Sequence, residues 1–149
     1  MLDKLTIITN SLSETDSLAK IISNYISPGT VIALNGDLGS GKTTFSKELV
    51  KYCGNTEIVT SPTFTILNIY EGTVKFYHFD FYRLETLEDI ENIGGTEFIP
   101  AADGITLIEW SEKIPEIMPE KYLAINIRFI DETIREFELK SIGNIFDLQ

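Results

Sequence analysis

The chain has 149 residues and a formal net charge of −11, from 12 basic and 23 acidic side chains. Its length is typical of one domain over residues 1–149, and its 43% of hydrophobic residues can supply a buried core. A single cysteine and a single histidine exclude an intrachain disulfide, a cysteine zinc cluster and a poly-histidine metal site.

Partners are constrained by the same composition. No apolar run approaches the roughly 20 residues that cross a membrane, and the N-terminus lacks a signal-peptide pattern, so we expect a cytoplasmic protein without membrane contact. The negative charge argues against direct binding to a nucleic-acid backbone, which requires clustered Lys and Arg. Between residues 84 and 120 the imbalance is strongest, with ten acidic side chains and one basic side chain.

Hydrophobic periodicity predicts the secondary structure in chain order. Strands are expected at residues 4–9, 31–34, 65–70, 74–79, 105–108, 121–129 and 133–140. Helices are expected from a Ser13 N-cap to the Pro28-Gly29 stop, over residues 42–53, and over residues 86–93. The predicted buried faces are Leu18, Ile21, Ile22, Tyr25 and Ile26 on the first helix and Phe45, Leu49 and Val50 on the second.

Early strand–helix alternation and late hairpins predict an α/β fold with a mixed parallel and antiparallel sheet. One connection in this fold carries the strongest chemical signal in the chain. It reads Gly36-Asp37-Leu38-Gly39-Ser40-Gly41-Lys42-Thr43, followed by Thr44, and fits the G-x-x-x-x-G-K-[ST] pattern. The alternative is an ordinary Gly-rich turn, but an apolar strand precedes the loop and a helical pattern follows it.

This pattern suits the binding of a nucleoside triphosphate. Its glycines let backbone N–H groups turn toward phosphate oxygens, and the following helix presents its positive end to the same anion. Lys42 can reach the β- and γ-phosphates, while the Thr43 hydroxyl can ligate Mg²⁺. We therefore expect a three-layer P-loop NTPase-like fold.

A P-loop site also needs a carboxylate at the end of a neighbouring strand to hold the metal. Glu109 follows the apolar run 105–108 and is the favoured candidate, while Asp80 follows the strand at 74–79 and can hold a metal-bound water or position the attacking water. The alternative for each is an ordinary solvated acid after a strand.

Four further candidates are less specific. Ser61-Pro62-Thr63-Phe64 lies where switch segments occur, so Thr63 can contact the γ-phosphate or its metal, although spacing alone favours a turn that merely starts a strand. Arg83 can stabilise phosphoryl charge or pair with the acids that follow it. The sequence favours a structural role for His78 over a general base, and a packing role for Trp110 beside the site.

The order and spacing of these motifs resemble the bacterial TsaE (YjeE) family over nearly the whole chain. The residues that carry the resemblance are the P-loop 36–45, the Ser-Pro-Thr-Phe segment 61–64, the His-Phe-Asp-Phe-Tyr-Arg-Leu segment 78–84 and Ile108-Glu109-Trp110. The resemblance implies an ATPase that uses ATP and Mg²⁺ in the threonylcarbamoylation of adenosine 37 of tRNA. The resemblance also implies that the family's metal ligands correspond to Thr43 and Glu109 in this sequence, with Asp80 close by.

The family resemblance also implies partners. A protein of this kind acts on the TsaB–TsaD complex, where ATP hydrolysis resets the complex between turnovers, and it meets tRNA only through that complex. It implies an adenine pocket near residues 10–12 and the last hairpin near Thr133. We expect part of the acidic stretch 84–120 either to face a basic surface of these partners or to be simply solvated.

Two other classes share the P-loop. A small-molecule kinase usually closes an arginine-bearing lid, and this chain has three arginines without a clustered pair. A GTP-controlled switch would carry Asn-Lys-x-Asp and Asp-x-x-Gly motifs, neither of which occurs here. The kinase remains the alternative to the partner-dependent ATPase.

Overall fold

Strands and helices alternate in the first half of the computed structural model, which describes residues 4–37, 39–54 and 66–143. Within these ranges the strands are β1 (Lys4–Thr9), β2 (Val31–Gly36), β3 (Leu67–Tyr70), β4 (Lys75–Asp80), β5 (Gly104–Glu109), β6 (Tyr122–Phe129) and β7 (Arg135–Ile142). The α-helices are α1 (Leu12–Ser23), α2 (Lys42–Tyr52) and α3 (Leu87–Asn92). Short 3₁₀ helices follow at Gly95–Phe98, Ser111–Lys113 and Pro115–Ile117.

All seven strands form one mixed sheet in the order β1-β7-β6-β2-β5-β4-β3. The central strand β2 pairs in parallel with β5 and β6, and β4 pairs in parallel with β5. The outer pairs β1–β7, β6–β7 and β3–β4 are antiparallel. The predicted mixed α/β sheet is therefore confirmed.

A hydrophobic core lies on each face of the sheet, which gives the predicted three layers. On one face α1 and α2 cover alternate residues of the strands, while α3 and the short 3₁₀ helices cover the other face. The alternation is visible in β2, where Ile32 and Leu34 belong to the first core and Val31 to the second. A strand buried on both faces accounts for the continuous apolar run in the sequence.

Three predictions for α1 are wrong. The N-cap is Ser11 rather than Ser13, because Ser11 is extended and its Oγ accepts a hydrogen bond from the N–H of Glu14 at 3.1 Å. The helix also ends at Ser23, before Pro28-Gly29. Ile21 is 55% exposed and Tyr25 57% exposed, so the buried face consists of Leu18, Ala19 and Ile22, with Ile26 buried beyond the helix.

The predicted elements elsewhere differ mainly at their ends. The helix α2 begins at Lys42 as predicted, and Cys53 is its C-cap. The β3–β4 hairpin is confirmed from Leu67 onward, and Thr65 lies outside the described residues. The last strand, β7, begins two residues later than predicted. The reason is that Asp131 Oδ1 accepts hydrogen bonds from the N–H groups of Thr133 at 2.8 Å and Ile134 at 2.9 Å. This local turn takes residues 133 and 134 out of β7.

Within α3 the acidic residues include a structural one. Thr86 Oγ1 accepts from the N–H of Asp89, while the Asp89 carboxylate accepts from the N–H of Thr86 at 3.1 Å and of Glu85 at 2.9 Å. These backbone hydrogen bonds lower the pKa of Asp89.

In the described part of the chain, no helix has the length and apolar character that spanning a membrane requires.

The core under α2 generates a first prediction. The Phe45 side chain is completely buried, and its ring centroid lies 5.3 Å from that of Phe137 on β7. Replacing Phe45 with Ala should lower the free energy of unfolding by about 3–5 kcal/mol, because the cavity cannot be filled by its packed neighbours. The matched control is Ile21→Ala on the exposed side of α1, where we expect a change within about 0.5 kcal/mol. Urea denaturation measures both, and equal losses would contradict the core assignment.

Candidate phosphate-binding and acid site

The predicted P-loop joins the end of β2 to the start of α2. Gly39 and Gly41 adopt left-handed backbone conformations, with φ of 82° and 106°. The N–H of Ser40 donates to the carbonyl of Asp37 at 3.0 Å, which closes the turn. Gly41 is the N-cap of α2 and brings no side-chain oxygen to its first-turn amides. The loop therefore has the helix-start geometry that accommodates an anion, while Leu38 lies outside the described residues.

Gly36 and Ser40 are packed against each other beneath this loop. A Cβ added at Gly36 would lie 2.6 Å from the carbonyl oxygen of Ile127 and 2.6 Å from the Ser40 Oγ. Ser40 is 1% exposed, and among the described residues its Oγ is buried without a hydrogen-bond partner. A side chain at position 36 would push β2, β6 and the loop apart, so their close packing requires glycine there.

Both candidate acids lie on the strands next to the loop. Asp80 and Glu109 are register partners at the carboxyl ends of the parallel strands β4 and β5. They are 6% and 5% exposed, so the reading of either as a solvated acid is wrong. Strand alternation puts both side chains on the face covered by α2, since Phe76 and Leu107 belong to that core. The N–H of Tyr82 donates to Asp80 Oδ1 at 2.9 Å.

Lys42 connects the loop to these acids. Its Nζ lies 3.7 Å from Glu109 Oε1 and 5.1 Å from the centroid of the Trp110 ring. Both ion-pair side chains are nearly buried, at 11% and 7% exposure. Trp110 has a left-handed φ of 60°, which turns the chain sharply just after β5, and its ring lies 5.0 Å from the ring of Tyr82. The tryptophan therefore packs beside the site, as predicted.

His78 also contacts the site, which the sequence reasoning undervalued. Its Nε2 lies 2.7 Å from Glu109 Oε2, and its side chain is 1% exposed. His78 precedes Asp80 by two residues on β4, so both side chains point to the same face. That spacing was the signal in the sequence that could have placed the histidine beside the acids.

A cavity of about 460 Å³ opens on the other side of the loop. The start of α1, the loop and the last hairpin line it with Ser11, Leu12, Ser13, Thr15, Ser40, Gly41, Thr44, Glu132, Thr133, Arg135 and Phe137. Of the regions that the resemblance indicated for an adenine pocket, residues 10–12 and Thr133, the cavity is lined by Ser11, Leu12 and Thr133. The N–H groups of Thr133 and Ile134 donate to the Asp131 carboxylate and lower the pKa of Asp131.

Arg135 is the residue that sequence reasoning missed. Its Nε donates to the carbonyl oxygen of Ser40 at 2.9 Å, and its guanidinium carbon lies 4.6 Å from the Phe129 ring centroid. The side chain therefore joins the start of β7 to the P-loop, 95 residues away in the chain. Arg83, for which the sequence left phosphoryl stabilisation and pairing with the following acids equally open, is exposed.

Other predicted site residues have plainer positions. Thr43 and Thr44 are exposed in the first turn of α2. Thr63 and the whole segment 61–64 lie outside the described residues. In the part of the chain that the structure describes, no three His, Cys, Asp or Glu side chains cluster as a self-contained metal site. A metal here would take its remaining ligands from hydroxyls, water or a phosphate.

Taken together, the sheet order, the loop between β2 and α2 and the acids beside it define a P-loop NTPase-like protein. The sequence profile described as "Threonylcarbamoyl adenosine biosynthesis protein TsaE" matches residues 9–137. The chain belongs to the TsaE family of tRNA threonylcarbamoyladenosine biosynthesis proteins.

Individual relatives agree with this assignment. The chain is 39% identical over 136 residues to the TsaE protein of Bacillus subtilis, covering 91% of this chain and 84% of that one. It is 37% identical over 141 residues to the TsaE protein of Rickettsia typhi, covering 93% and 96%. The crystal structure of Bacillus subtilis YdiB superposes with a TM-score of 0.77 at 34% identity, covering 97% of this chain and 89% of that chain.

The packing at Gly36 generates the second prediction. Gly36→Ala should lower the free energy of unfolding by about 1–3 kcal/mol, because the new methyl group meets the Ile127 carbonyl and forces β2 and β6 apart. The control is Gly94→Asn, at a left-handed position with open space around it, where asparagine is tolerated. Chemical denaturation of both variants is the measurement, and a Gly36→Ala protein as stable as the control would refute the close-packing argument.

Proposed function

We propose that the protein is a Mg²⁺-dependent P-loop ATPase that acts in the cytoplasm with the TsaB–TsaD complex in the threonylcarbamoylation of adenosine 37 of tRNA. The observation that carries the proposal is the buried Lys42–Glu109 pair beside the glycine-rich loop, 3.7 Å between Nζ and Oε1. Family membership supports the pathway, and the loop geometry supports the triphosphate.

Each part of ATP has a matching part of the site. The loop amides and Lys42 supply donors and positive charge for the phosphates. The cavity of about 460 Å³ between α1 and the last hairpin has the size and the hydroxyl-rich lining for a base and ribose. Arg135 and Thr133 line that cavity next to the loop, where they would contact the nucleotide.

Magnesium fits the same end of the site. The candidate ligands are the Thr43 hydroxyl, the Glu109 carboxylate and the Asp80 carboxylate, all hard oxygen donors of the kind this ion prefers. When bound, the metal would neutralise charge on the phosphates. Lys42 would bind phosphate oxygens, while the Asp80 and Glu109 carboxylates would hold the metal and its water.

One assay discriminates the ATPase from a small-molecule kinase. Phosphate release and phosphoryl transfer are followed for the protein alone, with a panel of small acceptors, and with purified TsaB–TsaD. We expect slow hydrolysis by the protein alone and faster hydrolysis with TsaB–TsaD. Transfer of phosphate to a small acceptor would identify a kinase instead, and full activity without partners would remove the partner dependence.

The third prediction separates phosphate binding from metal-dependent turnover. Lys42→Ala should weaken ATP binding about ten- to a hundredfold, because a charge-assisted hydrogen bond to phosphate is lost. Glu109→Ala should lower Mg²⁺-dependent turnover by about 10²-fold while binding without Mg²⁺ stays nearly unchanged. Fluorescent-nucleotide titration with and without Mg²⁺, together with single-turnover hydrolysis, gives both quantities. Normal turnover in Glu109→Ala would exclude its role at the metal.

The fourth prediction concerns the acidic stretch 84–120. Three of its acids have structural partners: Asp89 caps α3, Asp103 pairs with Lys75 at 3.6 Å, and Glu109 lies in the site. Seven others are exposed: Glu85, Glu88, Glu91, Glu97, Glu112, Glu116 and Glu120. We propose that part of this surface faces basic side chains of TsaB or TsaD.

Association with TsaB–TsaD should therefore weaken as salt rises. The triple variant Glu88→Gln, Glu91→Gln, Glu97→Gln should weaken it further and flatten the salt dependence. The control neutralises two acids elsewhere, Glu71→Gln with Glu138→Gln, and should leave association unchanged. Binding is measured by titration calorimetry at several salt concentrations. Association that does not change with salt would refute an electrostatic contact.

A further inference from the structure

The chain's single histidine lies at an unusual place for a residue that only packs. His78 is in the middle of β4, with 1% of its side chain exposed, on the sheet face covered by α2. Its strand neighbours in register are Asn68 on β3 and Leu107 on β5. The side chain two residues earlier, Phe76, belongs to the hydrophobic core, and the side chain two residues later, Asp80, belongs to the site. His78 thus occupies the boundary between the core and the acids.

The contact with Glu109 joins a ring nitrogen to a carboxylate oxygen. His78 Nε2 lies 2.7 Å from Glu109 Oε2, the length of a good hydrogen bond. An imidazole N–H donates and a carboxylate oxygen accepts, so this geometry suits a ring proton on Nε2. Nδ1 is buried without a hydrogen-bond partner among the described residues, so Nε2 is the ring nitrogen with an acceptor in reach.

The two oxygens of Glu109 are consequently held by different residues. Oε2 lies 2.7 Å from His78 Nε2, and Oε1 lies 3.7 Å from the Lys42 Nζ. With Oε2 fixed by the histidine, rotation of the carboxylate is restricted and Oε1 is turned toward the loop. A buried carboxylate with only the longer Lys42 contact would lack this constraint.

We propose that His78 is a positioning residue for Glu109. It donates its Nε2 proton to Oε2 and thereby aims Oε1 at the P-loop, where the phosphate and metal chemistry would occur. The hydrogen bond is argued from geometry alone, whereas its consequence for magnesium rests on the proposed function. The imidazole does not act on substrate itself, because Glu109 lies between the ring and the loop lysine.

Nuclear magnetic resonance tests the hydrogen bond directly, because the chain contains one histidine and thus one set of imidazole signals. The protein is prepared without a histidine tag and labelled with ¹⁵N-histidine. We expect the ring proton on Nε2, and a clear change in the Nε2 resonance in Glu109→Gln. A proton on Nδ1 with an unprotonated Nε2, or an Nε2 signal that ignores Glu109→Gln, would overturn the proposal.

The effect of His78 on magnesium binding is tested through the increase in nucleotide affinity that magnesium produces. This gain is measured by fluorescent-nucleotide titration. His78→Leu should reduce that gain about tenfold, as removal of a residue supporting a metal ligand usually does. His78→Gln keeps a side-chain N–H and should stay within about twofold of the unmodified protein. Binding without Mg²⁺ should be the same in all three proteins.

Two controls separate positioning from packing. Phe76→Leu disturbs the buried face of β4 two residues away and should lower stability without changing the magnesium-linked gain. In a Glu109→Gln background, His78→Leu should have no further effect, because the residue it positions is already lost. The proposal would be overturned if Phe76→Leu reduced the magnesium-linked increase in nucleotide affinity as much as His78→Leu does. It would also be overturned if His78→Leu still reduced that increase in the Glu109→Gln background.

The two proposals fail differently. An unmodified protein whose nucleotide affinity does not respond to Mg²⁺ would contradict the proposed function. The resonance experiment needs neither nucleotide nor metal, so it decides the His78–Glu109 bond in that case as well. The position of the ring proton is measured on the unmodified protein, so it tests the bond even if His78→Leu does not fold.

Discussion

The Glu109 carboxyl group is buried at the end of β5, and the arrangement of the site follows from the polar partners that a buried carboxyl group needs. Burial of such a group is costly unless donors or cations surround it. The Lys42 Nζ lies beside one oxygen and the His78 Nε2 beside the other. Because Lys42 is also the loop lysine, the acid and the P-loop are held together by one ion pair. A ligand that binds Lys42 would therefore alter the ion pair that Lys42 makes with Glu109.

The sheet order explains why these groups meet. β2 delivers the loop, and its neighbour β5 runs parallel to it, so the end of β5 lies beside the loop. β4 is parallel to β5 in turn, which brings Asp80 into register with Glu109. The cavity on the other side is built differently, from the start of α1 and the turn between β6 and β7. Arg135 connects that turn to the loop through the Ser40 carbonyl.

Much of the site could be predicted because local rules govern it. The P-loop pattern specifies its own backbone, and acids that end neighbouring parallel strands meet at the same edge of a sheet. Those rules identified Lys42, Asp80 and Glu109, and the structure brings Lys42 and Glu109 into contact and Asp80 into register beside them. They did not identify Arg135, because its partner is 95 residues away and no local pattern marks the contact. The Ser13 cap was wrong for a local reason, because Ser11 with Glu14 three residues later also fits the capping pattern, and the Ser11 Oγ accepts from the Glu14 N–H.

The amino-acid sequence by itself determined the fold class, the position of the P-loop and the two acids beside it. These features depend on residue types at short spacings, which chain neighbours enforce. The tertiary structure alone decided that the acids are buried, that His78 Nε2 lies 2.7 Å from one oxygen of Glu109, and that a cavity forms between α1, the P-loop and the last hairpin. Burial and side-chain pairing depend on which distant strands lie side by side, and no single stretch of sequence contains that information.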